Sequence, residues 1–282
     1  MTAKPGTLYV VATPIGNLDD ITARARDVLS AVAVIAAEDT RRTGQMLTHL
    51  GIEARMLSLH EHNEAGRADE IISLLTAGKD VALVSDAGTP LISDPGYRIV
   101  ARVRAEQLTV SPIPGCCAAI AALSVAGLPT DRFLFEGFLP AKSAARRSRL
   151  QVLATETATI ICYESVHRIA AVLADIESIF GSDRPVSLAR ELTKRFETIY
   201  HGSLAAVRRD LAADSGGGKG EFTLVIGGAA GNNSADQQSL ERIVAILLRD
   251  HPASQAAALA AEITGVRKSA AYRVATEFKS RG

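Results

Sequence analysis

Short apolar runs alternate with segments of helical periodicity along residues 1–115. Thr7 to Ala12, Val32 to Ala37, Arg55 to Leu59, Val81 to Val84 and Leu108 to Ser111 read as strands. Between them, Ile21 to Leu29, Thr43 to Leu50, Glu64 to Ala77 and Tyr97 to Val103 carry the apolar spacing of helices covering a sheet. Regular alternation of this kind predicts an α/β fold with a parallel sheet and right-handed crossovers. A second set follows the small-residue helix Cys116 to Ala126. Its strands are Phe133 to Phe138, Thr159 to Tyr163, Val186 to Ala189, Glu197 to His201 and Phe222 to Ile226. Helices are expected at Ala144 to Ala154, Val166 to Phe180 and Leu204 to Ala213, and the run Gly216-Gly217-Gly218 reads as a mobile loop. The expected domains are 1–115, 116–228 and a helical 238–282, with 229–237 as linker.

The loops after the first five strands are polar and rich in Gly and Pro. They contain Thr13-Pro14-Ile15-Gly16-Asn17, Glu38-Asp39-Thr40-Arg41-Arg42, His60-Glu61-His62-Asn63-Glu64, Ser85 to Gly96, and Pro112-Ile113-Pro114-Gly115. A parallel sheet places all of them at one edge, where open α/β sheets bind ligands. None matches G-x-G-x-x-G or G-x-x-x-x-G-K-[ST], so dinucleotide and P-loop sites are disfavoured.

In the tail, Gln255 to Ile263, Thr264-Gly265-Val266 and Arg267 to Val274 have the form of a helix-turn-helix. A plain helical hairpin with a solvated basic face fits the same pattern.

Composition narrows the class. The chain has 282 residues, 47% hydrophobic, only 4% aromatic and without Trp, so its core is built from Ala, Val, Leu and Ile. A formal net charge of +0 predicts local basic patches rather than a globally cationic nucleic-acid binder. The three cysteines, Cys116, Cys117 and Cys162, lack metal-ligand spacing and are expected as buried reduced thiols in a cytoplasmic protein. No signal peptide or membrane span is visible in the sequence. His60 and His62 have no third ligand at a telling spacing, so no metal is expected.

Several longer motifs occur in a fixed order. They are Thr13-Pro14-Ile15-Gly16-Asn17-Leu18, Ala36-Ala37-Glu38-Asp39-Thr40-Arg41, the Ser85 to Gly96 loop and Gly137-Phe138-Leu139-Pro140-Ala141-Lys142. Tyr163-Glu164-Ser165-Val166-His167-Arg168, Ala189-Arg190-Glu191-Leu192-Thr193-Lys194 and Lys219-Gly220-Glu221 follow. By these the chain resembles the rRNA-modifying branch of the tetrapyrrole methylase superfamily over nearly its whole length. One departure is Cys116, where the family pattern carries Pro.

The resemblance implies two α/β domains, the second with a mixed sheet, plus a small helical C-terminal domain. It implies S-adenosylmethionine in the cleft between the α/β domains, a homodimer, and 2′-O-methylation of a decoding-centre cytidine in the 16S rRNA of the small ribosomal subunit. It assigns cofactor binding to Pro14, Asp86, Ala87, Gly88, Ser93, Ala118, Glu164, Ala189, Arg190 and Glu221, with Asp94 secondary. The general base stays open among Glu38, Asp39, His60, His62, Glu64, Glu191 and Lys194. Glu38 and Asp39 lead, with Glu191 from the second domain. Asp39 or Thr40 serves equally well as a helix cap. Phosphate contacts are expected from Arg41, Arg42, Lys142, Arg146, Arg147 and Arg149, joined by Arg168, and from Arg267, Lys268 and Arg273 in the tail. The alternatives are a small-tetrapyrrole methylase and a non-catalytic ribosome-assembly factor. The basic tail counts against the first and the intact loop motifs against the second.

Overall fold

The computed structural model describes residues 4–60, 64–229 and 233–281. The chain divides into two compact units, Met1–Ala154 with Ala158–Gly227, and Thr155–Thr157 with Gly228–Gly282.

The first unit holds two five-stranded sheets. In the first sheet, β1 (Thr7–Val11), β2 (Val34–Ala37), β3 (Met56–Ser58), β4 (Val81–Val84) and β5 (Thr109–Ile113) run in the order β3-β2-β4-β1-β5, all parallel. Every residue of β2 and β4 is buried, as expected for inner strands covered on both faces. The covering helices are α1 (Ala23–Ala31), α2 (Thr40–Leu50), α3 (Glu64–Thr76) and α4 (Tyr97–Ala105). Leu29 and Met46 pack against Ile35, while Ile71 and Ile99 pack with Leu83. Helix α2 starts at Thr40, earlier than its apolar pattern suggests. The Asp39 carboxylate accepts the Arg41 N–H and so satisfies one of the free amides of its first turn.

Helix α5 (Ala118–Val125) opens the second half and packs on its sheet. There β6 (Phe133–Phe138), β7 (Thr159–Ser165), β8 (Pro185–Arg190), β9 (Thr198–Ser203) and β10 (Glu221–Ile226) run in the order β6-β7-β10-β8-β9. Only the β6–β7 pair is parallel, so the sheet is mixed. Helices α6 (Ser143–Leu153), α7 (Ile169–Phe180) and α8 (Leu204–Ala213) cover it with Leu150, Leu173 and Val207. The glycine run expected to be mobile is tied down. Arg190 donates to the Gly216 carbonyl at 2.7 Å, and Gly216 N–H donates to the Asp214 carboxylate.

The second unit consists of α9 (Asn233–Leu247), α10 (Ala253–Thr264) and α11 (Lys268–Arg281) around Leu240, Val244, Ala257, Ala260, Ala271 and Val274. Helix α9 begins inside the stretch expected as linker. Alanine where the helices meet lets the three short elements approach closely. Of the three cysteines, only Cys162 is buried; Cys116 and Cys117 are half-exposed.

Candidate functional site

Hydrogen bonds knit the carboxyl-edge loops of the parallel sheet together. Thr13 and Gly88 exchange backbone bonds of 2.9 and 3.0 Å, joining the β1 and β4 loops. The Asp39 N–H donates to Asp86 at 2.9 Å, and the Thr89 hydroxyl donates to the Cys116 carbonyl at 2.9 Å. The buried Glu64 carboxylate accepts from the N–H groups of Gly96 and Arg98, holding the far end of the Ser85 to Gly96 loop. Glu64 is therefore a scaffold residue.

Between these loops and the second sheet lies a cavity of ≈ 310 Å³ within the first unit. That volume falls in the range of sites for small ligands. Its wall from the first half is Ile15, Ala87 to Thr89, Ile92 to Asp94, Cys117 and Ala118. From the second half come Phe138, Tyr163 to Ser165, Ala189, Glu191, Leu192, Lys194 and Glu221 to Thr223. Gly88 (φ 87°) adopts a left-handed conformation, and a β-carbon there would meet Ile15 Cγ2 at 3.3 Å. Leu91, Ser93, Glu191 and Thr193 also have positive φ, so strained non-glycine backbone concentrates in two cavity loops.

The electrostatics are mainly acidic. Burial pushes the Asp94 carboxyl up to about 6, with Ser85 pulling the other way and Glu38 and Asp86 adding to the rise. Glu38 is also raised, by burial and by Asp86. Lys194 bonds Glu191 and Glu221, each at 2.8 Å. Burial alone would lower its ammonium pKa, but the two carboxylates outweigh burial and raise it. Glu164 is buried. Its Oε1 accepts from Ser165 N–H, and its Oε2 has a 3.2 Å ion pair with Arg168 and no hydrogen bond.

The family model "Tetrapyrrole (Corrin/Porphyrin) Methylases" matches residues 7–208, which include all of the cavity lining except Glu221 to Thr223. The chain belongs to the tetrapyrrole methylase family. A second family model, "RsmI C-terminal HTH domain", matches residues 234–279. Curated relatives named "Ribosomal RNA small subunit methyltransferase I" include one from Xylella fastidiosa (strain Temecula1), 54% identical over 96% of this chain and 99% of its own. Another, from Escherichia coli O157:H7, is 50% identical over 96% and 95%. Among solved structures, a uroporphyrin-III-C-methyltransferase from Thermus thermophilus matches with TM-score 0.56 and 20% identity, covering 82% of this chain and 98% of its own. A cobalt precorrin-4 methyltransferase matches with TM-score 0.58 and 18% identity over 78% and 94%, so both share the tetrapyrrole methylase fold.

Of the residues expected to bind cofactor in this family member, Ala87, Gly88, Ser93, Ala118, Glu164, Ala189 and Glu221 line the cavity, as does Glu191. Pro14 is buried next to Ile15. Asp86 stands one residue before the wall, bonded to Asp39 N–H and paired with Arg42 at 3.3 Å. Arg190 turns away toward Gly216, Thr198 and Asp214. Glu38 and Asp39 lie outside the lining. Asp39 caps α2, and its side-chain and backbone bonds with Arg41 hold its carboxyl down at about 2, which makes it a poor proton acceptor. Among the other proposed bases, His60 is exposed and His62 lies outside the described residues. No group of three or more His, Cys, Asp or Glu side chains among the described residues could hold a metal ion.

The basic cluster on α6 differs from its sequence reading. Arg146 is buried and pairs with Asp175 at 2.6 Å. Arg147 bonds the same carboxylate, and Arg149 clasps Glu136 at 2.6 and 2.7 Å. Arg168 donates to the carbonyls of Leu139 and Pro140. Lys142 has no ion pair among the described residues. Arg41, largely exposed, pairs with Asp39. In the tail, Arg267, Lys268 and Arg273 are exposed at and near the start of α11.

Motif residues given no role in the sequence reading also line the cavity, among them Ile15, Ile92, Phe138, Tyr163 and Leu192, as do Cys117 and Thr223 from outside the motifs. Most stand next to a residue with an assigned role, as Ile15 does beside Pro14 and Tyr163 beside Glu164.

Proposed function

We propose that this tetrapyrrole methylase family member is an S-adenosylmethionine-dependent rRNA methyltransferase that modifies the ribose 2′-oxygen of a decoding-centre cytidine in the small subunit. The carrying observation is the cavity, whose lining combines four carboxylates, Asp94, Glu164, Glu191 and Glu221, with the single ammonium of Lys194. That balance suits a ligand bearing a sulfonium and an ammonium. The small residues Ala87, Gly88, Ala118 and Ala189 leave room for a nucleoside, and the buried Glu164 Oε2, paired with Arg168 but without a hydrogen bond, keeps acceptor capacity. The names of the relatives support rRNA as the substrate.

S-Adenosylmethionine bound there supplies an electrophilic methyl group. The chain's own residues orient the ribose hydroxyl, exclude water and take up its proton. Asp94 is the carboxylate best suited to accept that proton. It lines the cavity, and its pKa of about 6 makes it ionised at neutral pH yet more basic than an ordinary Asp. Lys194 keeps Glu191 and Glu221 in place.

Phosphate contacts in this reading come from Lys142, from Arg41 and Arg42, whose carboxylate pairs still leave them largely exposed, and from Arg267 and Lys268 on the tail. A homodimer is part of it: Ile120 and Val125 on α5 and Phe133 on edge strand β6 are exposed apolar residues suited to a second copy. No helix among the described residues is long and apolar enough to cross a membrane. The reading places the chain in the cytoplasm with its ribosomal substrate.

The test is transfer of label from S-adenosylmethionine to unmodified small subunits, free 16S rRNA and a reduced porphyrin-type macrocycle. Label in RNA is expected. Label in the macrocycle alone would replace this reading.

A further inference from the structure

Two apolar side chains stand exposed at the rim of the cavity: Ile92 at 37% and Phe138 at 56%. Each is held by unusual backbone. Ile92 lies between Leu91 (φ 74°) and Ser93 (φ 65°), two non-glycine residues in the left-handed region. Phe138 follows Gly137 (φ 70°), beyond the register shift in the β6–β7 pair between Phe135 and Gly137. Such a shift re-aims the side chains after it. The two devices meet, because Ser93 Oγ stands 3.1 Å from where a Gly137 β-carbon would lie. The Phe138 ring is braced edge-on by Tyr163, with centroids 5.7 Å apart, and the Tyr163 hydroxyl accepts the Ala119 N–H. A rigid, braced aromatic face is thus left open to solvent although folding favours its burial.

We propose that Ile92 and Phe138 form an apolar clip for the nucleobase of the target ribonucleotide, with the base stacked on the Phe138 ring. The proposal rests on the rRNA reading above. Bases presented by RNA outside a helix are typically held by stacking on aromatic side chains. The buried interior, at Gly88, Ala189 and Thr223, accommodates the small cofactor, whereas the rim is what a nucleotide on a large RNA reaches first. Lys142, at the start of α6 in the same connection as Phe138, supplies a cation for the neighbouring phosphate.

The test uses the full chain and compares Phe138→Leu, Phe138→Tyr and Ile92→Ser. Cofactor affinity is measured by calorimetry and methyl transfer to small subunits under single-turnover conditions. Phe138→Leu keeps apolar bulk but removes the π face. It is expected to bind S-adenosylmethionine like the wild type while kcat/KM for RNA falls about tenfold to a hundredfold. Phe138→Tyr restores most of the transfer, and Ile92→Ser lowers it. Undiminished transfer by Phe138→Leu overturns the clip. So does a parallel loss of cofactor affinity, which would assign the ring to the cofactor's part of the cavity. A wild type that binds cofactor but labels no RNA overturns the rRNA reading and the clip with it.

Discussion

Lys194 lies so close over Gly16 that a β-carbon added at Gly16 would stand 2.4 Å from Lys194 Cγ. A residue from the β8–β9 connection thereby closes over the first strand's loop, and its ammonium ties Glu191 to Glu221. Gly16→Ala is expected to displace the lysine stem, break both bonds and weaken cofactor binding about tenfold, a coupling typical of residues that touch. In a Lys194→Ala background the same substitution should have little further effect. A double-mutant cycle in cofactor affinity checks this, and additive effects contradict it.

Asp94 makes activity and stability respond to pH in opposite senses. Its folded pKa of about 6 lies above the ordinary value of 3.8, so its protonated form favours the fold. That stability is fully present below the unfolded value and is lost as pH rises through the folded value. Asp94→Asn should therefore raise the melting temperature at pH 8, with the gain vanishing below pH 4. The same variant should fall at least tenfold in methyl transfer, as roughly expected for removal of a proton acceptor. The ascending limb of the pH–rate profile near 6 should disappear with it.

The α6 arginines separate stability from RNA affinity. The Arg146 side chain is 6% exposed and Asp175 13%, so Arg146→Ala leaves the Asp175 carboxylate to Arg147 and Ser143 alone and should cost about 1.5–3 kcal/mol. Arg149 is 41% exposed but holds the 12% exposed Glu136 carboxylate through two hydrogen bonds, so Arg149→Ala should also cost about 1.5–3 kcal/mol. Urea unfolding measures both. Their affinity for rRNA should stay near the wild type, because both guanidiniums are already held by carboxylates.

Arg267 and Lys268 should behave differently. Both are exposed at the start of α11, the second helix of the matched helix-turn-helix. Replacing both by Ala should leave stability unchanged and lower rRNA affinity. The slope of log affinity against log salt should shrink by about one unit for each phosphate no longer neutralised. An unchanged salt slope contradicts a phosphate-binding role for this pair.

Much of the fold is legible in the sequence because inner strands such as β2 and β4 are continuous apolar runs buried on both faces. Val81 to Val84 is the plainest case. The Ser85 to Gly96 loop announces itself through glycines, prolines and side-chain oxygens in one stretch. The fate of charges is not legible in this way. Arg146 meets Asp175 and Arg149 meets Glu136, partners 29 and 13 residues away on other elements. On a linear chain those arginines look like a basic patch. The same holds for Asp94, whose raised pKa comes from burial beneath surrounding loops. The Gly216 to Gly218 run reads as mobile by composition, yet Arg190 reaches it from 26 residues away. Phe138 reads as an ordinary strand residue until the bulge before it turns the ring to the rim.

The central claim is tested most directly by nucleoside analysis of small-subunit rRNA methylated by this chain, with the modified position mapped. The account predicts one 2′-O-methylcytidine per subunit, in the decoding centre. A methyl group on a base, or on the ribose of a different nucleotide, would contradict it.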